Sequence, residues 1–143
     1  MPSKTIFLAL MLSAVAATSS FAASPTVIHV SLTGEGGSDM HINLDRSKIK
    51  AGKVVLDVAN EAMTESHEMV LVKLKGSDQK ISVNKDKHRV DEGKLTSLGE
   101  VSDLKAGAHG KLAANLKPGT YELLCNIKGH YEAGMHAILT VTN

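Results

Sequence analysis

An all-β Greek-key sandwich is the fold class the sequence predicts, on three observations. Short apolar runs alternate with polar residues at a period of two. Turn-forming glycines and a Pro-Gly pair separate the runs. The runs recur along about 120 residues without an amphipathic helical stretch, as in a sandwich.

Each element is legible in order. Ile28, Val30 and Leu32 alternate with His29 and Ser31. Gly34-Glu35-Gly36-Gly37 ends that run, and Met40, Ile42 and Leu44 then alternate with His41 and Asn43. Ala51-Gly52 precedes a third run, with Val54, Leu56 and Val58 on one face. Met69 to Leu74 is almost continuously apolar, the mark of a central strand. Residues 75–94 are polar and charged and read as a long solvated connection, with a helical turn at most. His109 falls in the turn Ala106-Gly107-Ala108-His109-Gly110. After Pro118-Gly119, the period of two puts Tyr121, Leu123 and Cys125 on one face and Glu122 on the other. Met135, Ala137, Leu139 and Val141 share a face in the last run, with His136 and Thr140 opposite. Cys125 and Met135 therefore both point inward at one end of the core.

The first 22 residues read as a signal peptide. Lys4 is its positive flank and Ile6 to Ala17 its apolar stretch, too short to span a bilayer. Ser20-Phe21-Ala22 is a small-x-small cleavage site that makes Ala23 the first mature residue. A retained anchor is the alternative. The expected location is the periplasm. The organisation expected is thus a leader over 1–22 and one domain over 24–143.

Of the 16 bases and 15 acids, only Lys4 lies in the leader, so the mature formal charge is zero. There is no basic stripe and few aromatics, which excludes a nucleic-acid binder. The single cysteine cannot form an internal disulfide, and an exposed free thiol is a liability outside the cytosol. The cysteine is then free, paired between chains or bound to a metal, and of these metal ligation is favoured.

The chemistry concentrates in Cys125-Asn126-Ile127-Lys128-Gly129-His130-Tyr131-Glu132-Ala133-Gly134-Met135. A thiolate, an imidazole and a thioether on one loop suit copper better than a hard cation. One further imidazole would complete a mononuclear site. His29 and His41 alternate with core residues and face solvent, His88 sits among charges, and His136 faces away from Met135. His67 instead opens the apolar run at the mouth of a central strand, after the loop Asn60 to Ser66, and is the candidate fourth ligand.

Val58-Ala59-Asn60, a loop, His67 and a strand, then Pro118-Gly119-Thr120-Tyr121-Glu122-Leu123-Leu124-Cys125 with Cys-x4-His-x4-Met, resemble the cupredoxin family of type 1 blue copper proteins. The Gly129-His130 and Gly134-Met135 pairs look most like its rusticyanin-type periplasmic members. The resemblance spans the mature domain. It implies one copper ion with His67, Cys125 and His130 as equatorial ligands and Met135 as the weak axial one. It also implies that the His130 ring edge reaches the surface in an apolar patch, for which Met63, Ala62, Gly129 and Ala133 are candidates. Two departures stand out. Glu68 follows the first histidine where the family often has Asn or Ser tying the ligand loops together. The chain also has no Trp and only two Phe.

The function implied is single-electron transfer between protein redox partners, by a monomer without an organic cofactor. A filled trigonal site offers no open position for substrate, so an enzyme is not expected. A copper-handling role in tolerance, sequestration or delivery is the alternative, kept alive by Met40, His41, Met63, Met69 and His136. These are scattered and form no Met- or His-rich tract. A structural zinc site fits less well, because zinc rarely takes Met.

Overall fold

In the computed structural model, residues 23–143 are described. The leader expected over 1–22 lies outside them. No described helix is long and apolar enough to cross a membrane.

The alternating runs become strands in two packed sheets. One is built from β1 (Thr26–Glu35), β2 (Ser38–Leu44), β4 (Gly52–Asn60) and β9 (His109–Leu116), in the order β2-β1-β4-β9. The other holds β3 (Lys48–Lys50), β5 (His67–Lys73), β8 (Thr96–Leu104), β10 (Gly119–Leu124) and β11 (His136–Thr142), in the order β3-β11-β10-β5-β8. β1 pairs with β4 in parallel and β11 with β3 in parallel, while the remaining pairs are antiparallel. These crossovers give the Greek-key sandwich that the patterning predicts.

The inward faces are those the period of two assigns. Ile28, Val30, Leu32, Met40, Ile42, Val54, Leu56 and Val58 meet Met69, Leu71, Tyr121, Leu123, Leu139 and Val141 in one core. Burying each large side chain contributes about 1.5–3 kcal/mol. Tyr121 is the aromatic centre of this core. Its hydroxyl donates to the Lys117 carbonyl at 2.7 Å, which satisfies the buried polar tip and pins the turn before β10. Gly110 lets β9 close against β8, since a Cβ there would run into Val101.

Two expectations are corrected. His109 opens β9 opposite Ala59 and does not lie in the turn. Residues 75–94 are not merely a solvated connection. β6 (Val83–Asn84) and β7 (Arg89–Val90) form a small hairpin, followed by a 3-10 turn at Glu92–Lys94. Ile81, from this segment, and Leu95 just after it pack with Val70, Val72, Leu74 and Leu124. That covers the outer face of β5 and β10 and explains why β5 is apolar on both faces.

Chain direction places the loops. β1 and β4 run together, with Thr26 opposite Val54 at one end and Leu32 opposite Asn60 at the other. The loops after β1, after β4 and after β10 all open at the second end, as does the start of β5. The chain enters at Thr26, at the opposite end.

Candidate metal centre

The second end gathers the chemistry. β5 begins with His67, β10 leads directly into Cys125, and the loop from Cys125 to Met135 returns to β11. His67, Cys125 and Met135 are fully buried and His130 is 5% exposed. One donor atom from each of His67, Cys125 and His130 lies within 4.8 Å of the others. His67 Nδ1 is 3.3 Å from His130 Nδ1, and Cys125 Sγ is 3.4 Å from the same nitrogen. Met135 belongs to the same buried cluster as Cys125. The structure thus brings all four expected side chains to one end of the core.

The donor set fits a copper ion. Two metal–nitrogen bonds of about 2.0 Å at a trigonal angle separate the nitrogens by roughly 3.3–3.5 Å, close to the observed spacing. The two Nδ1 atoms face each other, His130 Nδ1 also faces the sulfur, and both Nε2 atoms have partners on the outside. His67 Nε2 lies 3.2 Å from the Gly34 carbonyl, and His130 Nε2 lies 3.5 Å from Glu65 Oε1. Outer acceptors of this kind hold the proton on Nε2 and leave Nδ1 free for metal.

The loop is locked by its own backbone. Cys125 N–H donates to Met135 O, Met135 N–H to His130 O, and His130 N–H to Ile127 O, each at 3.0 Å. Gly34 owes its identity to this region. Its φ of 123° and the approach of Met40 leave no room for a Cβ.

Electrostatics favour neutral ligands before metal arrives. Burial pushes the Cys125 thiol up to about 11, while the backbone N–H groups of Glu68 and Ile127 pull the other way. Burial, then the neighbouring His67, lowers the His130 pKa, so its contact with Glu65 is a hydrogen bond from a neutral ring.

Several supporting residues carry no sequence motif. Glu68 Oε1 accepts the Asn126 N–H at 3.1 Å, so the glutamate that departs from the family pattern ties the two ligand segments together. Burial raises its pKa. The Asn126 side chain accepts from Val90 N–H at 2.7 Å and donates to Val90 O at 3.0 Å and Glu92 Oε1 at 2.7 Å. Gly129 N–H donates to His88 O at 2.8 Å, and Glu132 takes Lys85 and His88, each at 2.8 Å. The β6–β7 hairpin therefore braces the ligand loop. Asn60 organises the loop before His67 by donating to Glu65 O and Leu104 O and accepting from Ala62 N–H.

The outward residues also differ from expectation in part. His136 does face away from Met135, and Glu122 lies on the face opposite the core as the alternation places it, where it is buried. It binds the Tyr131 hydroxyl and His136 Nδ1, each at 3.0 Å, and His136 stacks on Tyr131. Of the apolar patch, Ala62 is buried and Met63 is 87% exposed, while the carboxylate of Glu65 stands against the His130 edge.

Two sheets in this order, closed at one end by buried His, Cys, His and Met, define a cupredoxin. The chain belongs to the sulfocyanin (SoxE) domain family, whose model matches residues 2–143. Among solved structures it is similar to auracyanin B, at 26% identity and a TM-score of 0.59 over 85% of this chain and 93% of that one. It is also similar to a dithionite-reduced auracyanin from the photosynthetic bacterium Roseiflexus castenholzii (20% identity, TM-score 0.57, 85% of this chain and 100% of that one). Rusticyanin from Thiobacillus ferrooxidans aligns at 17% identity and a TM-score of 0.58, over 85% and 80% of the respective chains. No curated protein matches the chain at a significant level.

Proposed function

We propose that this protein is an exported, periplasmic carrier of single electrons, with one copper ion held by His67, Cys125, His130 and Met135. The convergence of three buried donor atoms within 4.8 Å carries the reading. Copper in such a set supplies one-electron chemistry between Cu(I) and Cu(II).

The protein's part is to keep the ligands still. Gly34 O orients His67, Glu68 joins the two ligand segments, and the β6–β7 hairpin braces the loop. Ligands held this way move little when the charge changes. His67, Cys125 and Met135 are sealed from solvent, which supports transfer over catalysis on a bound substrate and over ready release of stored metal. His130 is the ligand nearest solvent and the natural exit for the electron. Transient contacts with redox proteins suit a small monomer. In this reading residues 1–22 direct export and are removed.

The test is reconstitution of residues 23–143 with Cu(II), followed by visible and EPR spectra. Strong thiolate-to-copper charge transfer is expected, and a colourless protein overturns the assignment. Cys125→Ser should abolish the colour. An unchanged spectrum in His67→Ala would remove His67 from the ligand set. Fast electron self-exchange is the outcome that separates a carrier from a copper store.

A further inference from the structure

Resting on the carrier reading, we propose that the metal-bearing end docks a cationic redox protein. The docking surface is an acidic strip made by the β1–β2 turn and the loop before His67, with Met63 as its apolar contact.

Segments 34–39 and 61–66 carry Glu35, Asp39, Glu61 and Glu65 and no lysine or arginine. They form one surface. Gly36 N–H donates to Glu65 Oε2 at 2.9 Å. Glu35 accepts from the backbone of Met63, from Thr64 N–H at 3.1 Å and from the Thr64 hydroxyl at 2.8 Å. Glu61 N–H donates to Leu32 O at 2.9 Å. The strip reaches the electron exit directly, because Glu65 stands 3.5 Å from His130 Nε2.

Met63 is the most exposed large apolar side chain among the described residues. The backbone beneath it is fixed by Glu35, so its projection is a property of a braced loop and not of a loose one. A flexible thioether adapts to varied partner surfaces. Carboxylates around an adaptable apolar contact are the parts of a transient interface that recognises positive charge.

The rest of the surface sharpens the field. Lys105 and Lys128 stand on the other loops of this end, and Lys85, Lys87 and Arg89 on the β6–β7 hairpin that braces the ligand loop, against Asp86, Glu92, Asp103 and Glu132, with Asp91 paired to Lys94, so the four carboxylates of the strip leave this end negative on balance. The opposite end exposes Arg46, Lys48, Lys50, Lys53, Lys75 and Lys117, against Asp45 and Asp78. A nearly neutral domain is therefore a dipole with its negative end at the metal. Such a dipole turns that end toward a partner whose own exit site is ringed by lysine or arginine, and away from an anionic membrane surface.

Two measurements test this. The first needs no copper: titrate the isotope-labelled apo-protein with hexaamminechromium(III), a paramagnetic trication. Amide signals of 34–39 and 61–66 should broaden before others. Even broadening, or broadening centred on Asp45, Asp57 or Asp78, overturns the strip. The second follows oxidation of the Cu(I) protein by tris(phenanthroline)cobalt(III) and by hexacyanoferrate(III). Raising ionic strength from about 0.01 M to about 0.2 M should slow the cationic oxidant several-fold and speed the anionic one. The double variant Asp39→Asn with Glu61→Gln should slow the cationic oxidant about two- to threefold at low salt, with the visible spectrum unchanged. Equal salt slopes for the two oxidants, or an unaltered variant, overturn the proposal. A protein that reacts with neither oxidant overturns the carrier reading instead, and the apo titration then decides the strip alone.

Discussion

Glu68, the second residue of β5, reaches across and accepts the backbone N–H of Asn126, the residue after the cysteine, at 3.1 Å. A carboxylate here does the mechanical work of an amide or hydroxyl while placing a partly buried anion beside the site. Glu68→Gln keeps an acceptor and removes the charge. Oxidation adds positive charge to the centre, so losing a nearby anion favours the reduced form. The reduction potential should rise by on the order of 50–100 mV, the size of one charge roughly 7–14 Å away at an effective dielectric of about 20. Voltammetry of the two proteins checks it, and an unchanged potential means that Glu68 is neutral when the metal is bound.

Metal uptake should depend steeply on pH. The Cys125 thiol, pushed up to about 11, is protonated in the apo-protein at neutral pH, whereas His130 is already neutral. Binding must release the thiol proton, and apparent copper affinity should rise about tenfold per pH unit between pH 7 and 9. Competition with a chelator of known affinity measures it. A flat profile would mean that the thiolate already exists in the apo-protein.

Asn126 makes both of its bonds to the hairpin with buried Val90 and a third with half-buried Glu92. Asn126→Ala strands the N–H and C=O of buried Val90. We expect a loss of about 2–3 kcal/mol in the apo-protein, read as a lower urea midpoint at constant slope. The metal-loaded variant should also show a broadened charge-transfer band, since the hairpin would no longer hold the loop.

Glu122 gives a stability prediction with a definite sign. Burial raises its pKa in the folded protein, ahead of the opposing Tyr131 and His136 contacts. Its favourable contribution is complete below the unfolded carboxyl pKa and is lost as pH rises through the folded one. Glu122→Gln lacks that loss. The variant should match the parent in Tm near pH 4 and exceed it near pH 7.5, measured on apo-protein. An advantage that shrinks with rising pH would reverse the assignment.

Cys125, His130 and Met135 were readable because ligand spacing and strand alternation coincide in one stretch. His67 was readable from its place at a strand mouth. The supports were not, because each depends on a partner far along the chain. Asn126 meets Val90 from 36 residues away, and Glu68 meets Asn126 from 58. Register irregularities on β5, between His67 and Met69 and between Leu71 and Val72, decide where such groups point, and no local pattern announces them. The polar run 75–94 misled for a related reason: a few apolar residues in and just beyond it suffice to cover a sheet, while most of its side chains remain outside.

The point at which the chain enters β1 has a consequence for geometry in the cell. Thr26 stands at the lysine-rich end, and Glu35 at the metal end, about 30 Å away by strand rise. Were the leader kept as an anchor, the domain would hang from its positive base over an anionic bilayer, with the redox tip facing outward like a lamp on a short stem. Cleavage would free the tip without altering it, so tethered and diffusing forms would present the same face to a partner.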